Sequence, residues 1–131
     1  MLRATDTGER YSLMHWIVPI DGLAPGHRHE RYEETILVLE GVLDLEIGGE
    51  HLTAEPGMWL RAPAGVRHAY ANRGAAVARM LVTFTPGGIE DLFEEFADPV
   101  GSVEGRPSKL GRSPMEYVEK ARLVHDTEYD L

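Results

Sequence analysis

Three histidines and one glutamate are the residues of this chain best suited to metal chemistry. His27, His29 and Glu34 lie in one glycine-flanked segment, and His68 lies in a second. Side chains alternate along a strand with period two, so His27 and His29 point to the same side. Taken alone, the two histidines are as consistent with a pair of surface residues as with a pair of metal ligands. Together with Glu34 and His68 they form a donor set that suits a divalent transition metal, and a metal site is predicted.

The carboxylate ligand has two alternatives nearby, Glu30 and Glu33. Glu34 shares one strand face with Ile36 and Val38, whereas Glu33 falls on the opposite face. Glu34 is therefore the preferred ligand.

Other residues of these segments are predicted to have structural tasks. The glycines and proline of the turns supply backbone conformations that other residues adopt less readily; they are Gly41, Gly57, Pro63 and Gly65. Asn72 is expected to make backbone hydrogen bonds at a strand end. The remaining histidines lie outside the two segments and are predicted to be surface or packing residues; they are His15, His51 and His125.

Length and composition limit the class of protein. The chain has 131 residues, which suits one domain with a single core. It has no cysteine, which excludes disulfides and thiolate metal sites. A net charge of −9 argues against binding to a phosphate backbone. No apolar run reaches the ~20 residues that span a bilayer, and a secretory signal is not expected, because no basic region followed by an apolar stretch precedes the first strand. We expect a cytoplasmic protein with a small-molecule substrate, without nucleic-acid or membrane partners.

Residues 10–86 have the alternation and turn signals of an all-β domain. A first strand is predicted within Arg10–Ile20, a strand apolar on both faces at Thr35–Leu39, and a half-buried strand at Val42–Ile47. Gly48-Gly49 marks a hairpin, and Pro56-Gly57 suits a type II turn. Further strands are predicted at Met58–Arg61, Val66–Ala71 and Ala76–Phe84. Periodicity alone does not distinguish a sandwich from a barrel.

The last third of the chain has a different pattern. Apolar residues at helical spacing predict a short helix over Ile89–Ala97 that packs on the β-domain. Residues 98–112 are interpreted as a loop. Ser113 and Glu116 form a capping box with Pro114 at the first helical position, which predicts a second helix to about Val124 and a polar tail after it. The chain is thus divided into an N-terminal arm (1–9), a β-domain (10–86) and a C-terminal helical extension with a tail (87–131).

Both candidate metal segments resemble the paired motifs of the cupin family, in particular those of the small single-domain cupins that are called quercetin-dioxygenase-like. The first motif, His-x-His, four residues, Glu, six residues, Gly, is filled by His27, His29, Glu34 and Gly41. The second, Gly, five residues, Pro-x-Gly, two residues, His, three residues, Asn, is filled by Gly57, Pro63, Gly65, His68 and Asn72. The resemblance covers about residues 10–96.

The resemblance implies a jelly-roll-like β-barrel with one or two short C-terminal α-helices. It also implies one divalent metal ion held by the four candidate ligands, and the ligand set leaves Fe, Mn, Ni, Co and Zn open. Glu34 is the expected general base, as in the quercetin-degrading members that the motif resembles. Tyr70 shares the face of His68 and is the expected hydrogen-bond donor beside it.

Strand parity suggests which residues line the barrel interior. The candidates are Met14, Trp16, Ile36, Val38, Met80, Val82 and Phe84. Their alternative interpretation is an ordinary hydrophobic core. If they adjoin the metal, the cavity favours a small aromatic or enolisable substrate.

Three functions are compatible with these residues and with the fold. The first is a dioxygenase-like oxidoreductase, and the second is a metal-dependent isomerase, lyase or cyclase that does not use O₂. The third is a small-molecule binding protein without turnover. A homodimer is expected, because small cupins are often dimers and the strand around Leu37 and Leu39 is apolar on both faces.

Overall fold

A computed structural model of the protein describes residues 1–96 and 114–130. These residues form a short 3-10 helix at Ala4–Thr7, nine strands and two α-helices. The strands β1 to β9 are, in chain order, Ser12–Val18, Leu23–His29, Glu33–Glu40, Leu43–Ile47, Glu50–Ala54, Trp59–Ala62, His68–Ala71, Ala78–Thr85 and Thr127–Tyr129. The helices α1 and α2 are Glu90–Phe96 and Pro114–His125.

The strands form two antiparallel sheets that enclose one core. One sheet has four strands in the order β1-β8-β3-β6, and the other has five in the order β5-β4-β7-β2-β9. Strands that pair within a sheet are mostly distant from each other in sequence, as in a jelly roll. The predicted all-β fold, a jelly-roll-like barrel with short C-terminal helices, is confirmed.

The alternation of the sequence determines which face of each strand is buried. Along β8, Ala78, Met80, Val82 and Phe84 are buried, while the residues between them are partly exposed. Residues from both sheets meet in one hydrophobic cluster. That cluster fixes the strand registers, because a slip by one residue would turn every buried side chain outward.

Two glycines make the tight turns that precede strands of the core. Gly41 has a φ of +75°, and a Cβ there would lie 2.8 Å from Cα of Ala78. Gly57 follows Pro56 with a φ of +91°. Both positions therefore favour glycine, as the sequence predicts.

Both helices contribute apolar residues to the core cluster of the barrel. Helix α1 buries Leu92 and Phe93, with Ile89 just before it, against the β-domain, as its apolar spacing predicts. Helix α2 ends at His125, one residue later than predicted, and leads directly into β9. The sequence does not predict β9, which continues the five-stranded sheet beyond β2.

Some sequence predictions lie outside the described residues: the loop at 98–112, Ala97 as the end of the first helix, and the Ser113 cap. Among the helices in the described parts of the chain, none has the length and apolar character to cross a membrane.

Candidate metal centre

Strand register brings the four candidate ligands together inside the barrel. His27 on β2 lies directly opposite His68 on β7. Glu34 lies on β3 in the facing sheet, where it pairs with Phe84 of the neighbouring strand β8. One ligand atom from each of the four residues lies within 4.8 Å of the others. Residues separated by up to 41 positions in sequence thus meet at one point.

In each of the three imidazoles, Nδ1 faces an oxygen atom of the protein. His27 Nδ1 donates to the Pro25 carbonyl at 2.7 Å, and His68 Nδ1 donates to the Val66 carbonyl at 3.0 Å. His29 Nδ1 lies 2.8 Å from the Thr127 hydroxyl. An imidazole that donates through Nδ1 keeps the lone pair of Nε2 for a metal.

The Nε2 atoms and the Glu34 carboxylate form the inward side of the site. His68 Nε2 lies 2.6 Å from Glu34 Oε2. His29 Nε2 lies 3.3 Å from the same oxygen but is buried without a hydrogen-bond partner. A buried nitrogen without a partner is costly, and a cation would satisfy it. The donor set and this nitrogen therefore fit a divalent metal ion.

Burial and mutual contacts shift the pKa values of these groups when no metal is bound. Burial, together with the neighbouring His68, lowers the pKa of His27 to about 4, so this imidazole is neutral near pH 7. Burial disfavours the charged form of Glu34, but His29 and His68 outweigh it and lower the pKa of the carboxyl. Burial alone would lower the pKa of His68, yet Glu34 raises it. Without a metal, the site thus combines an ionised Glu34 carboxylate with a neutral His27, while Glu34 favours the protonated form of His68, whose Nε2 proton a metal ion would displace.

Glu33 and Glu34 have opposite environments. Glu34 is 5% exposed, whereas Glu33 points outward and accepts hydrogen bonds from Arg61 at 2.6 and 2.9 Å. The Arg61 contact also lowers the pKa of Glu33. Glu30 is exposed and pairs with Arg28 at 2.9 Å. Among the three acids, Glu34 alone belongs to the cluster of candidate ligands.

Aromatic rings enclose the histidines. The Phe84 ring meets His29 edge-on, with centroids 5.3 Å apart. The Tyr129 ring stacks on His27 at 4.8 Å and an interplanar angle of 17°. Rings at these distances exclude water from the imidazoles and restrict their rotation.

The predicted lining residues belong to, or pack on, the hydrophobic core. Six are buried in the core cluster; they are Met14, Ile36, Val38, Met80, Val82 and Phe84. Trp16 is partly buried and packs edge-to-face on Phe93, with centroids 4.8 Å apart. Contact of these residues with a substrate stays a prediction.

Tyr70 lies two residues after His68 on β7, and its ring packs against the core. Burial raises its pKa, and the charge of Glu34 adds to the effect. The hydroxyl therefore stays protonated at neutral pH. Its assignment as a donor beside the metal stays a prediction.

Sequence reasoning missed Thr127 and Tyr129. Both lie on β9 and contact His29 and His27, respectively. The local signal is weak: two residues with β-preference, separated by one position, in a polar tail.

The structural task predicted for Asn72 is confirmed. Its Nδ2 donates to the carbonyls of Val18 and Ala76 at 3.0 and 2.9 Å. Among the histidines outside the motifs, His51 is exposed and His125 is buried beside Tyr32.

A model of the cupin domain family matches residues 14–84, which include all four candidate ligands. The quercetin 2,3-dioxygenase of Bacillus subtilis (strain 168) is 32% identical over 73 residues. That match covers 56% of this chain and 21% of the enzyme, so the chain spans about a fifth of the length of this relative.

Two solved structures extend the comparison. TT1209 from Thermus thermophilus has a TM-score of 0.57 and 31% identity, over 60% of this chain and 74% of that one. The polyketide cyclase RemF from Streptomyces resistomycificus has a TM-score of 0.57 and 29% identity, over 64% of this chain and 60% of that one.

Proposed function

The chain belongs to the cupin family, and on this premise we propose that it is a metal-dependent oxidoreductase of the dioxygenase type. The observation that carries the proposal is the convergence of three imidazoles and one carboxylate within 4.8 Å of one another. The proposed substrate is a small aromatic or enolisable compound, in line with the similarity to quercetin 2,3-dioxygenase.

The residues that would hold the metal are His27, His29, Glu34 and His68. When bound, a divalent metal supplies Lewis acidity towards an enolate, phenolate or carboxylate oxygen and, if it is redox-active, reactivity towards O₂. The surrounding burial strengthens the interaction between the Glu34 charge and any positive group in the site, because the local dielectric constant is low.

The proposed proton-transfer groups are Glu34 and Tyr70. The lowered pKa of Glu34 keeps the carboxylate ionised, so it can accept a hydrogen bond from a substrate hydroxyl; it gains basicity for proton transfer when its contacts with His29 and His68, which lower that pKa, are given up. The raised pKa of Tyr70 keeps its hydroxyl protonated, so it can donate a hydrogen bond to a developing oxyanion. The proposal therefore combines an ionised carboxylate at Glu34 with a protonated hydroxyl at Tyr70.

A non-redox function is the alternative, and the similarity to the polyketide cyclase RemF favours it. In a cyclase, isomerase or lyase the same residues would bind an enolisable carbonyl compound and move its proton, without consuming O₂. The ligand set is compatible with both reactions.

Metal content and oxygen consumption distinguish the two functions. The protein, purified without added metal, is analysed for Fe, Mn, Ni, Co and Zn and then assayed with flavonols, catechols and diketones. Iron together with substrate-dependent O₂ uptake supports the oxidoreductase. Turnover under nitrogen supports the non-redox enzyme. Stoichiometric metal without turnover in either atmosphere contradicts catalysis and indicates a binding protein.

We also propose a homodimer formed through the outer face of the four-stranded sheet. Leu13, Leu37 and Leu81 line a shallow apolar groove there, beside Trp59, which is 75% exposed. Exposed apolar surface of this kind is typical of interaction sites. Light scattering should give twice the mass of 14.6 kDa, and Leu37→Lys should shift the protein to monomer. A monomeric wild-type protein would contradict the proposal.

A further inference from the structure

Thr127 is the hydrogen-bond partner of His29 and lies at the far end of the chain from it. Its Oγ1 is 2.8 Å from His29 Nδ1, across 98 positions of sequence. The Thr127 side chain is fully buried. The same hydroxyl donates to the His125 carbonyl at 3.1 Å. Because its hydrogen is used there, Oγ1 accepts the hydrogen of His29 Nδ1, and this places the lone pair of His29 on Nε2.

In His27 and His68 the hydrogen on Nδ1 is fixed by a backbone carbonyl close in sequence. Each donates to the carbonyl of the residue two positions before it in sequence, Pro25 and Val66. A side-chain substitution leaves those carbonyls in place. His29 therefore differs from its neighbours, because its acceptor belongs to a replaceable side chain on another element.

Strand β9 holds Thr127 in register with the site. Within the pairing of β2 and β9, His29 lies opposite Thr127 and His27 lies opposite Tyr129. The Tyr117 and Tyr129 hydroxyls are 2.5 Å apart, which ties β9 to α2. Backbone hydrogen bonds continue the pairing at both ends, from Glu30 to Asp126 and from Asp130 to Gly26.

We propose that Thr127 is a positioning residue of the metal centre, and that β9 is therefore part of the functional site. The inference rests on the proposed metal-dependent function. It concerns an element outside residues 14–84, which the family model matches. Thr127 acts by fixing the tautomer and the ring orientation of His29, so that Nε2 is presented to the cation.

The test compares Thr127→Val with Thr127→Ser. Valine has nearly the same shape but lacks the acceptor, whereas serine retains the hydroxyl. The probe is Co²⁺, measured by calorimetric titration and by its visible absorption spectrum. We expect Thr127→Val to weaken Co²⁺ binding about 10–100-fold, the usual effect of removing a partner that orients a metal-bound histidine. Thr127→Ser should restore binding. Thr53→Val, on the exposed face of β5, is the matched control.

A measurement on the wild-type protein does not depend on the folding of any variant. Nitrogen-15 NMR of the metal-free protein at mildly alkaline pH should show the His29 hydrogen on Nδ1. A hydrogen on Nε2 would overturn the proposal. So would equal Co²⁺ affinity for wild type and Thr127→Val.

The same data separate this inference from the proposed function. If wild type binds Co²⁺ at one ion per chain and Thr127→Val binds it equally well, the metal function stands and the positioning task is wrong. If wild type binds no divalent metal, the proposed function fails, and the positioning task fails with it.

Discussion

An imidazole binds a metal best when its other nitrogen has a partner that fixes the ring. All three histidines of the cluster meet this requirement before any metal is present. The hydrogen-bond geometry thus predisposes the Nε2 atoms for coordination, and it explains why a buried site can contain an unpartnered His29 Nε2. The cost of that unsatisfied nitrogen in the metal-free protein becomes part of the affinity for the ion.

Removing one ligand tests the assignment of the cluster. We expect His68→Ala to weaken metal binding by more than about 100-fold, because losing even an outer partner of a ligand typically costs about 10–100-fold. Metal content per chain after dialysis measures the effect. His51→Ala, at an exposed position of β5, is the control and should keep wild-type content. Full occupancy in His68→Ala would contradict the ligand assignment.

The candidate ligands could be predicted from the sequence because their signal is local. The His-x-His spacing places His27 and His29 on one strand face, and parity distinguishes Glu34 from Glu33. The Thr127 contact to His29 has no such signal. It depends on where a three-residue strand pairs after the chain has passed through two helices. Contacts of that kind are determined by tertiary packing, not by a repeating pattern.

At the level of elements, the sequence predicts the long alternating strands well. Burial of every second residue along β8 follows directly from the sequence pattern. Strand β9 is not predicted, because three residues are too few to establish a period and its neighbours are polar. Its stability comes from pairing with β2 and from the contact between Tyr117 and Tyr129.

The core that supports the site can be tested on β8. Phe84 is 1% exposed and contacts the rings of His29, Tyr32 and Phe93. We expect Phe84→Ala to lower the free energy of unfolding by about 3–5 kcal/mol, the usual cost of a large cavity. Leu123→Ala, at a residue 64% exposed, should change it by no more than about 0.5 kcal/mol. Denaturant unfolding measures both, and equal effects would contradict the packing.

The contact between α2 and the barrel includes a titrating group. Arg31 donates to the Tyr32 hydroxyl at 2.8 Å, and that hydroxyl lies 3.2 Å from His125 Nδ1. Because the Tyr32 oxygen accepts from Arg31, its own hydrogen is available to Nδ1 of the neutral His125 imidazole. Burial lowers the pKa of His125, and the Arg31 cation lowers it further.

This contact predicts a pH dependence of stability. The unfolded chain takes up the His125 proton near the ordinary pKa of about 6.5, while the folded protein resists it. The free energy of unfolding should therefore fall as the pH decreases below about 6.5. The free energy of unfolding is measured against pH for wild type and for His125→Gln, and the difference between the two profiles isolates the contribution of His125 from that of the other histidines. A difference that does not change between about pH 8 and about pH 5 would contradict the role of His125.

For the whole molecule, the metal site and the fold are coupled, because the ligands come from both sheets. Glu34 belongs to the four-stranded sheet, and the three histidines belong to the five-stranded sheet. An ion held by all four would therefore cross-link the two layers of the barrel. The unfolded chain does not present these residues together, so binding favours the folded state.

Metal binding should consequently stabilise the entire protein. At a Co²⁺ concentration of about 100 times Kd, the free energy of unfolding should rise by about 2.7 kcal/mol. For a domain of this size that corresponds to a Tm increase on the order of 10 °C. Scanning calorimetry with and without Co²⁺ measures the shift, and a chelator should reverse it. His68→Ala should show no comparable shift, because its cluster lacks one of the four donors. An equal increase in wild type and His68→Ala would show that the ion stabilises the fold at another position, and that these four residues do not link the two sheets.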